Sequence, residues 1–156
     1  MMAKPGYGFS DLHLREHKDA LCARFGAPAT KRRSGAFREY WLYPGLHFDC
    51  IVSRRSGEVL SIFVERGTPF LDNDVFAADE TRIRAQFGEP DLEGGDFTLS
   101  TGHYVGKWLS YPQGIGFHFN ANGKLETLGI FSPSRRKLAN RKAQVRAPLA
   151  LAALRR

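Results

Sequence analysis

A chain of 156 residues with 42% hydrophobic content can bury one core and is too short for two ordinary domains; no apolar run approaches the ~20 residues that span a bilayer. The formal charge of +7 sits in one place, because residues 1–133 carry 15 basic and 16 acidic side chains while residues 134–156 carry eight basic and none acidic. That division excludes a uniformly basic body and separates a single domain, 1–133, from a basic tail, 134–156.

Met1 to Ser10 contains no apolar signal-peptide core, so a cytoplasmic protein is expected. Ser10 reads as a helix N-cap, with Asp11 placed against the positive end of the helix dipole. Leu14, Leu21 and Phe25 then recur at helical spacing, and Gly26 followed by Pro28 stops the helix. Lys31 to Gly35 is a polar, basic loop. Phe37 to Tyr43 is rich in strand formers and ends at Pro44-Gly45; Leu46, Phe48 and Cys50 alternate with His47 and Asp49, and Glu58 to Val64 makes a third strand.

The second half repeats this order. Phe87-Gly88-Glu89-Pro90 answers Phe25-Gly26-Ala27-Pro28, Asp72 stands where Ser10 stood, and Phe76, Ile83 and Phe87 follow Leu14, Leu21 and Phe25 at a constant offset of 62. Tyr111-Pro112 answers Tyr43-Pro44, Ile115 and Phe117 answer Leu46 and Phe48, and the hairpin dipeptide Asn122-Gly123 answers Ser56-Gly57. The predicted fold is α+β, with two tandem helix-plus-three-strand repeats at about 10–66 and 72–131, their helices on one face of antiparallel sheet. The halves differ in charge: residues 1–66 hold 11 basic against 7 acidic side chains, residues 67–133 hold 4 against 9.

The order of helix, Phe-Gly-x-Pro and three strands carrying Tyr-Pro-Gly and Gly-x-Val-x-x-Ile-x-Val resembles the small α+β unit of the β-lactamase inhibitor protein and of the outer-membrane lipoproteins of the SmpA/OmlA type. The resemblance covers roughly residues 10–131 and implies a non-enzymatic module whose sheet face grips another protein. An inhibitor, or an immunity protein that neutralises a toxin by steric occlusion, is the most concrete form of that expectation.

The strand aromatics supply the candidate surface. Alignment of the halves places Trp108 with Tyr40, and alternation sets both on the face opposite Trp41 and Tyr43, near His47, Asp49 and His118. Tyr40, His47, Asp49, Trp108 and His118 are therefore the candidate binding residues, since large amphipathic rings anchor protein interfaces.

Two other features carry chemistry. His13-Leu14-Arg15-Glu16-His17 has the spacing that sets two imidazoles and a glutamate on one helix face of certain zinc hydrolases, with Glu93 as a distant third ligand. Solvated helix histidines are the simpler reading, and no metal or cofactor is expected. Arg135, Arg136, Lys137, Arg141 and Lys142 in the tail could contact phosphates, making nucleic-acid binding the alternative function. Cys22 and Cys50 lack a Cys-x-x-Cys spacing and are expected as free, buried thiols.

Overall fold

Both Phe-Gly-x-Pro stretches close a helix, α1 (Lys18–Phe25) and α2 (Glu80–Phe87), in the computed structural model, which describes residues 3–99 and 102–133. Gly26 and Gly88 adopt φ of 77° and 81°, and their N–H groups donate back to the carbonyls of Cys22 and Arg84. A residue with a Cβ would be strained there, which is why the same dipeptide recurs.

Neither helix begins where the apolar spacing predicts. His17, not Ser10, caps α1, its Nδ1 accepting the Asp19 N–H at 3.2 Å. The segment before it makes sheet-like bonds instead: Arg15 N–H to the Val59 carbonyl at 2.8 Å, Val59 N–H to that of Glu16 at 2.9 Å, and Lys18 N–H to that of Gly57 at 2.8 Å. Arg15 itself takes a left-handed φ of 67°, which no right-handed helix accommodates. Likewise Asp72 only precedes a 3₁₀ turn, Asn73–Ala77, and Asp79 is the cap of α2, accepting the Arg82 N–H at 2.8 Å. The two caps keep the 62-residue offset that the helix stops showed.

The strands are β1 (Thr30–Ser34), β2 (Arg38–Tyr43), β3 (Phe48–Ser53), β4 (Val59–Glu65), β5 (Leu92–Gly94), β6 (Phe97–Leu99), β7 (Gly102–Tyr104), β8 (Lys107–Tyr111), β9 (Ile115–Phe119) and β10 (Leu125–Phe131). Eight of them form one antiparallel sheet in the order β1-β2-β3-β4-β10-β9-β8-β5, and β6 and β7 form a separate hairpin. Each half thus contributes four strands to the sheet, where the sequence predicts three. The strand missed in the first half is the supposed basic loop: Lys31 pairs with Trp41 and Arg33 with Glu39. An edge strand has one neighbour and both faces near water, so β1 is held by backbone bonds without an apolar pattern.

The core lies on one face of this sheet. Leu21 of α1 and Ile83 and Phe87 of α2 share a single buried cluster with Trp41, Tyr43, Cys50, Ile62, Val64, Leu109, Tyr111, Phe117, Leu128 and Ile130. Phe9, Leu12 and Leu14 before α1, and Phe70, Leu71, Val75 and Phe76 before α2, complete it. Each such side chain, fully buried, contributes about 1.5–3 kcal/mol, which is how short helices of low intrinsic stability are held. Cys22 and Cys50 are free thiols, Cys50 fully buried. Among the described residues no helix is long and apolar enough to cross a membrane. The tail, with Arg135, Arg136, Lys137, Arg141 and Lys142, lies outside the described residues.

Candidate binding face

Because successive side chains of a strand point to opposite faces, the ladder registers define what the reverse side of the sheet presents. One cross-strand row runs Tyr40, Ile51, Ser61, Phe131; the next runs Leu42, Asp49, Phe63, Gly129, Gly116, Ser110; a third runs Glu65, Thr127, His118, Trp108. Tyr40 and Ile51 are buried yet stand outside the core cluster, as residues of the opposite face should.

Trp108 is the centre of the arrangement. Its indole lies over β9 and β10, where the strands carry glycine: a Cβ at Gly116 would drive into the six-membered ring, and one at Gly129 would come within 2.9 Å of Trp108 and 3.1 Å of Phe63. The Phe63 ring stands 6.5 Å from that of Trp108 at 56°. Two glycines therefore form the floor on which a half-exposed tryptophan lies beside a half-exposed phenylalanine.

Asp49 sits in the same row as Phe63, with Leu42 on its other side. Burial, followed by the negative charge of Glu65, pushes its carboxyl up to about 6, against the pull of the Arg32 charge and the Tyr43 backbone N–H. Leu42 and Phe63 flank this carboxyl in its row, and Arg32 already directs one positive charge toward it. The Trp108 and Phe63 rings lie on the same face of the sheet as this carboxyl.

The sequence-derived residues fall into three groups. Asp49 and Trp108 share the face as expected. Tyr40 and His118 also belong to it but are 4% and 2% exposed, so they support the surface rather than project from it. His118 is fixed by its Nε2, 3.2 Å from the Val105 carbonyl, and its Nδ1 lies 3.7 Å from the Glu126 carboxylate. His47 is a correction: it is not a strand residue but caps the 3₁₀ turn Pro44–Leu46 in a left-handed conformation, φ 52°, outside the ladder and against Gly67. Phe63, Gly116, Gly129 and Glu65 were not foreseen. Their signal was present in the two glycines, each of which stands between two apolar residues, Ile115 and Phe117 in β9 and Leu128 and Ile130 in β10.

The His-x-x-Glu-His motif is taken apart by the fold. His13 precedes the helix and stacks on Tyr7 with centroids 5.2 Å apart, while His17 is the helix cap. Glu16, buried, accepts the His13 N–H at 3.2 Å and pairs with Arg24. The expected pair of imidazoles on one helix face is absent because residues 13–17 are not helical. Among the described residues, no group of three or more His, Cys, Asp and Glu side chains could hold a metal ion.

At the far edge, α2, β5 and β8 are tied by a closed set of charges. Arg84 meets Glu80 and Glu93 at 2.9 Å and also Glu89; Lys107 meets Glu80 at 2.9 Å and Glu93 at 2.7 Å. The hydrogen bond from Lys107 is the main reason the Glu80 and Glu93 carboxyls lie below their ordinary range.

No family model matches the chain, and no curated protein matches it in sequence. Among solved structures it is similar to an extracellular protein containing an SCP domain from Bacillus anthracis, with 14% identity and a TM-score of 0.49 over 83% of this chain and 46% of that one. A cysteine-rich secretory protein from Staphylococcus aureus gives 12% identity and a TM-score of 0.48 over 90% and 50% of the two chains. A DUF4309 family protein from Bacillus subtilis gives 10% identity and a TM-score of 0.50 over 81% and 82%. The chain spans about half the length of the first two. The third likeness, at such identity, is one of fold alone.

Proposed function

We propose that this protein is a non-catalytic protein-binding module that grips its partner with the helix-free face of the sheet. The observation that carries the reading is Trp108 lying on Gly116 and Gly129 beside Phe63, with the Asp49 carboxylate in the same row. Aromatic anchors on a rigid floor lose little entropy on binding, and a carboxylate next to them selects a basic side chain. An inhibitor or toxin-immunity role, acting by occlusion, is the concrete form, as the resemblance to the β-lactamase inhibitor protein implies. The proposed compartment is the cytoplasm, in keeping with two free thiols.

The module is read as two tandem units. The sheet order is the same from either edge inward, β1-β2-β3-β4 and β5-β8-β9-β10, each set preceded by a helix closed with Phe-Gly-x-Pro. Joining them along β4 and β10 removes one open edge from each unit.

The test is affinity capture from the native host with the full chain, comparing wild type with Trp108→Ala and with Glu58→Gln, a change in the exposed β3–β4 turn. A specific partner retained by wild type and the control and weakened at least tenfold by Trp108→Ala is expected, since an anchor of this kind contributes about 2 kcal/mol or more. A partner held equally by all three overturns the assignment of this face. Nucleic-acid binding remains the second reading, favoured by a different surface.

A further inference from the structure

We infer that the β1 corner of the sheet binds the backbone of single-stranded nucleic acid, independently of the helix-free face. Three separate segments converge there: β1, the turn after it, and the turn between β3 and β4. The Arg54 N–H donates to the Phe37 carbonyl at 2.8 Å and its guanidinium to the Ala36 carbonyl at 3.1 Å, which locks the two turns together. Lys31, Arg33, Arg38, Arg54 and Arg55 are all exposed, and none has a carboxylate partner among the described residues; Lys31 lies over the Trp41 ring at 4.5 Å, which leaves Arg33, Arg38, Arg54 and Arg55 as the open cations. Arg32 is set aside because its charge is directed at Asp49. Of the two nearby acids, Glu39, across the ladder from Arg33, accepts from the Trp41 indole at 2.8 Å and Glu58 from the Ser56 hydroxyl at 3.2 Å; both donors are neutral, so four open cations face two carboxylates at this corner.

Phe37 marks the corner as more than a charged edge. It is 52% exposed, and the Arg55 guanidinium stacks 3.8 Å from its ring centre on one side. The composition fits nucleic acid: cations, nearly all arginine, gathered from the edge strand, the start of β2 and the β3–β4 turn for phosphates, and one aromatic ring for a base. A lone phenylalanine buries too little apolar area to hold a bilayer surface. Edge protection explains one or two cations, not four drawn from three segments; at the opposite edge, Arg84 and Lys107 are both closed by carboxylates.

The measurement is fluorescence anisotropy of the full chain with labelled oligo-dT and oligo-rU of about 15 nucleotides, a length within the range one small domain covers, at several salt concentrations. About four phosphate contacts give a log–log salt slope near −3 for a single strand. Arg54→Glu/Arg55→Glu should weaken binding about tenfold or more and flatten the slope, whereas Phe37→Ala should cost about tenfold with the slope unchanged. Both variants alter exposed side chains, and an unchanged thermal midpoint verifies their folding. A chain with Arg135, Arg136, Lys137, Arg141 and Lys142 changed to Gln should keep the Phe37 dependence. Binding lost with those tail changes but insensitive to the corner variants overturns the proposal. So does equal, Phe37-independent binding to heparin or to poly-glutamate, which marks a generic polyanion surface, and so does association with anionic phosphatidylserine vesicles but not with either oligonucleotide. A failure of Trp108→Ala to affect any protein partner bears on the other face and leaves this result readable by itself.

Discussion

Across the middle of the helix-free face, the first half of the chain places Leu42, Asp49 and Phe63, and the second half places Ser110, Gly116 and Gly129 at the answering positions of the ladder. One side is crowded and charged. The other is hollow, and Trp108 lies in the hollow. The fold constrains the opposite, core-facing side of the same strands to apolar residues, so the two halves agree there and are free to diverge here. The edges show the same divergence: Arg33 and Arg54 without a carboxylate partner among the described residues near β1, a closed set of ion pairs at β5.

The largest effect is expected from filling the hollow. Gly116→Leu puts a side chain where the Trp108 indole lies, so the ring must leave its floor. A loss of about 2–3 kcal/mol, with the emission of Trp108 shifted to the red, should appear in chemical denaturation and fluorescence. An unperturbed spectrum would mean that the glycine floor does not hold the indole.

On the crowded side, Asp49→Asn should stabilise. The folded protein holds the Asp49 proton up to about pH 6 whereas the ordinary value is 3.8, so stability declines as pH rises between these values and is level above. The variant should remove that decline and gain on the order of 1–2 kcal/mol at pH 7, read from unfolding curves at pH 4 and 7. If the stability difference between variant and wild type is the same at both pH values, Asp49 does not carry the cost assigned to it. A gain in stability with a loss of partner binding would mark a residue kept for function.

The smallest difference separates two tyrosines that end β2 and β8. Tyr43 donates its hydroxyl to the Gly26 carbonyl at 3.1 Å, at the helix stop, whereas the fully buried Tyr111 hydroxyl has no hydrogen-bond partner among the described residues. Tyr43→Phe should cost about 1 kcal/mol, and Tyr111→Phe should be neutral or slightly stabilising. Equal losses in thermal unfolding would show that the two hydroxyls are bonded alike.

Much of this was legible in the residues. Phe25-Gly26 and Phe87-Gly88 declare helix ends because few residues tolerate a positive φ. Tyr40 and Trp108 were placed on one face by strand alternation. The helix starts were not legible, since Leu14 has helical spacing yet its N–H bonds to the Tyr7 carbonyl, and residues 15–18 after it pair with the β3–β4 region. Strand β1 was hidden for the opposite reason: its Thr-Lys-Arg-Arg-Ser run has no apolar alternation. The alignment of halves also slipped. It matched Phe48 with Phe117, whereas the ladders pair Tyr43 with Phe48 and Tyr111 with Ile115, because the turn after Tyr43 is one residue longer than the turn after Tyr111.

By itself, then, the sequence determined what local chemistry can determine: where helices must stop, which residues alternate into a core, and that the charge lies apart from most of the chain. Only the tertiary structure decided which residues meet. Trp108, Gly116, Gly129, Phe63 and Asp49 come from five strands, and a ladder shifted by one residue would turn a strand's side chains to the other face. The corner of cations arises in the same way, when two turns remote in sequence are bonded through Arg54 and the backbone of Ala36 and Phe37.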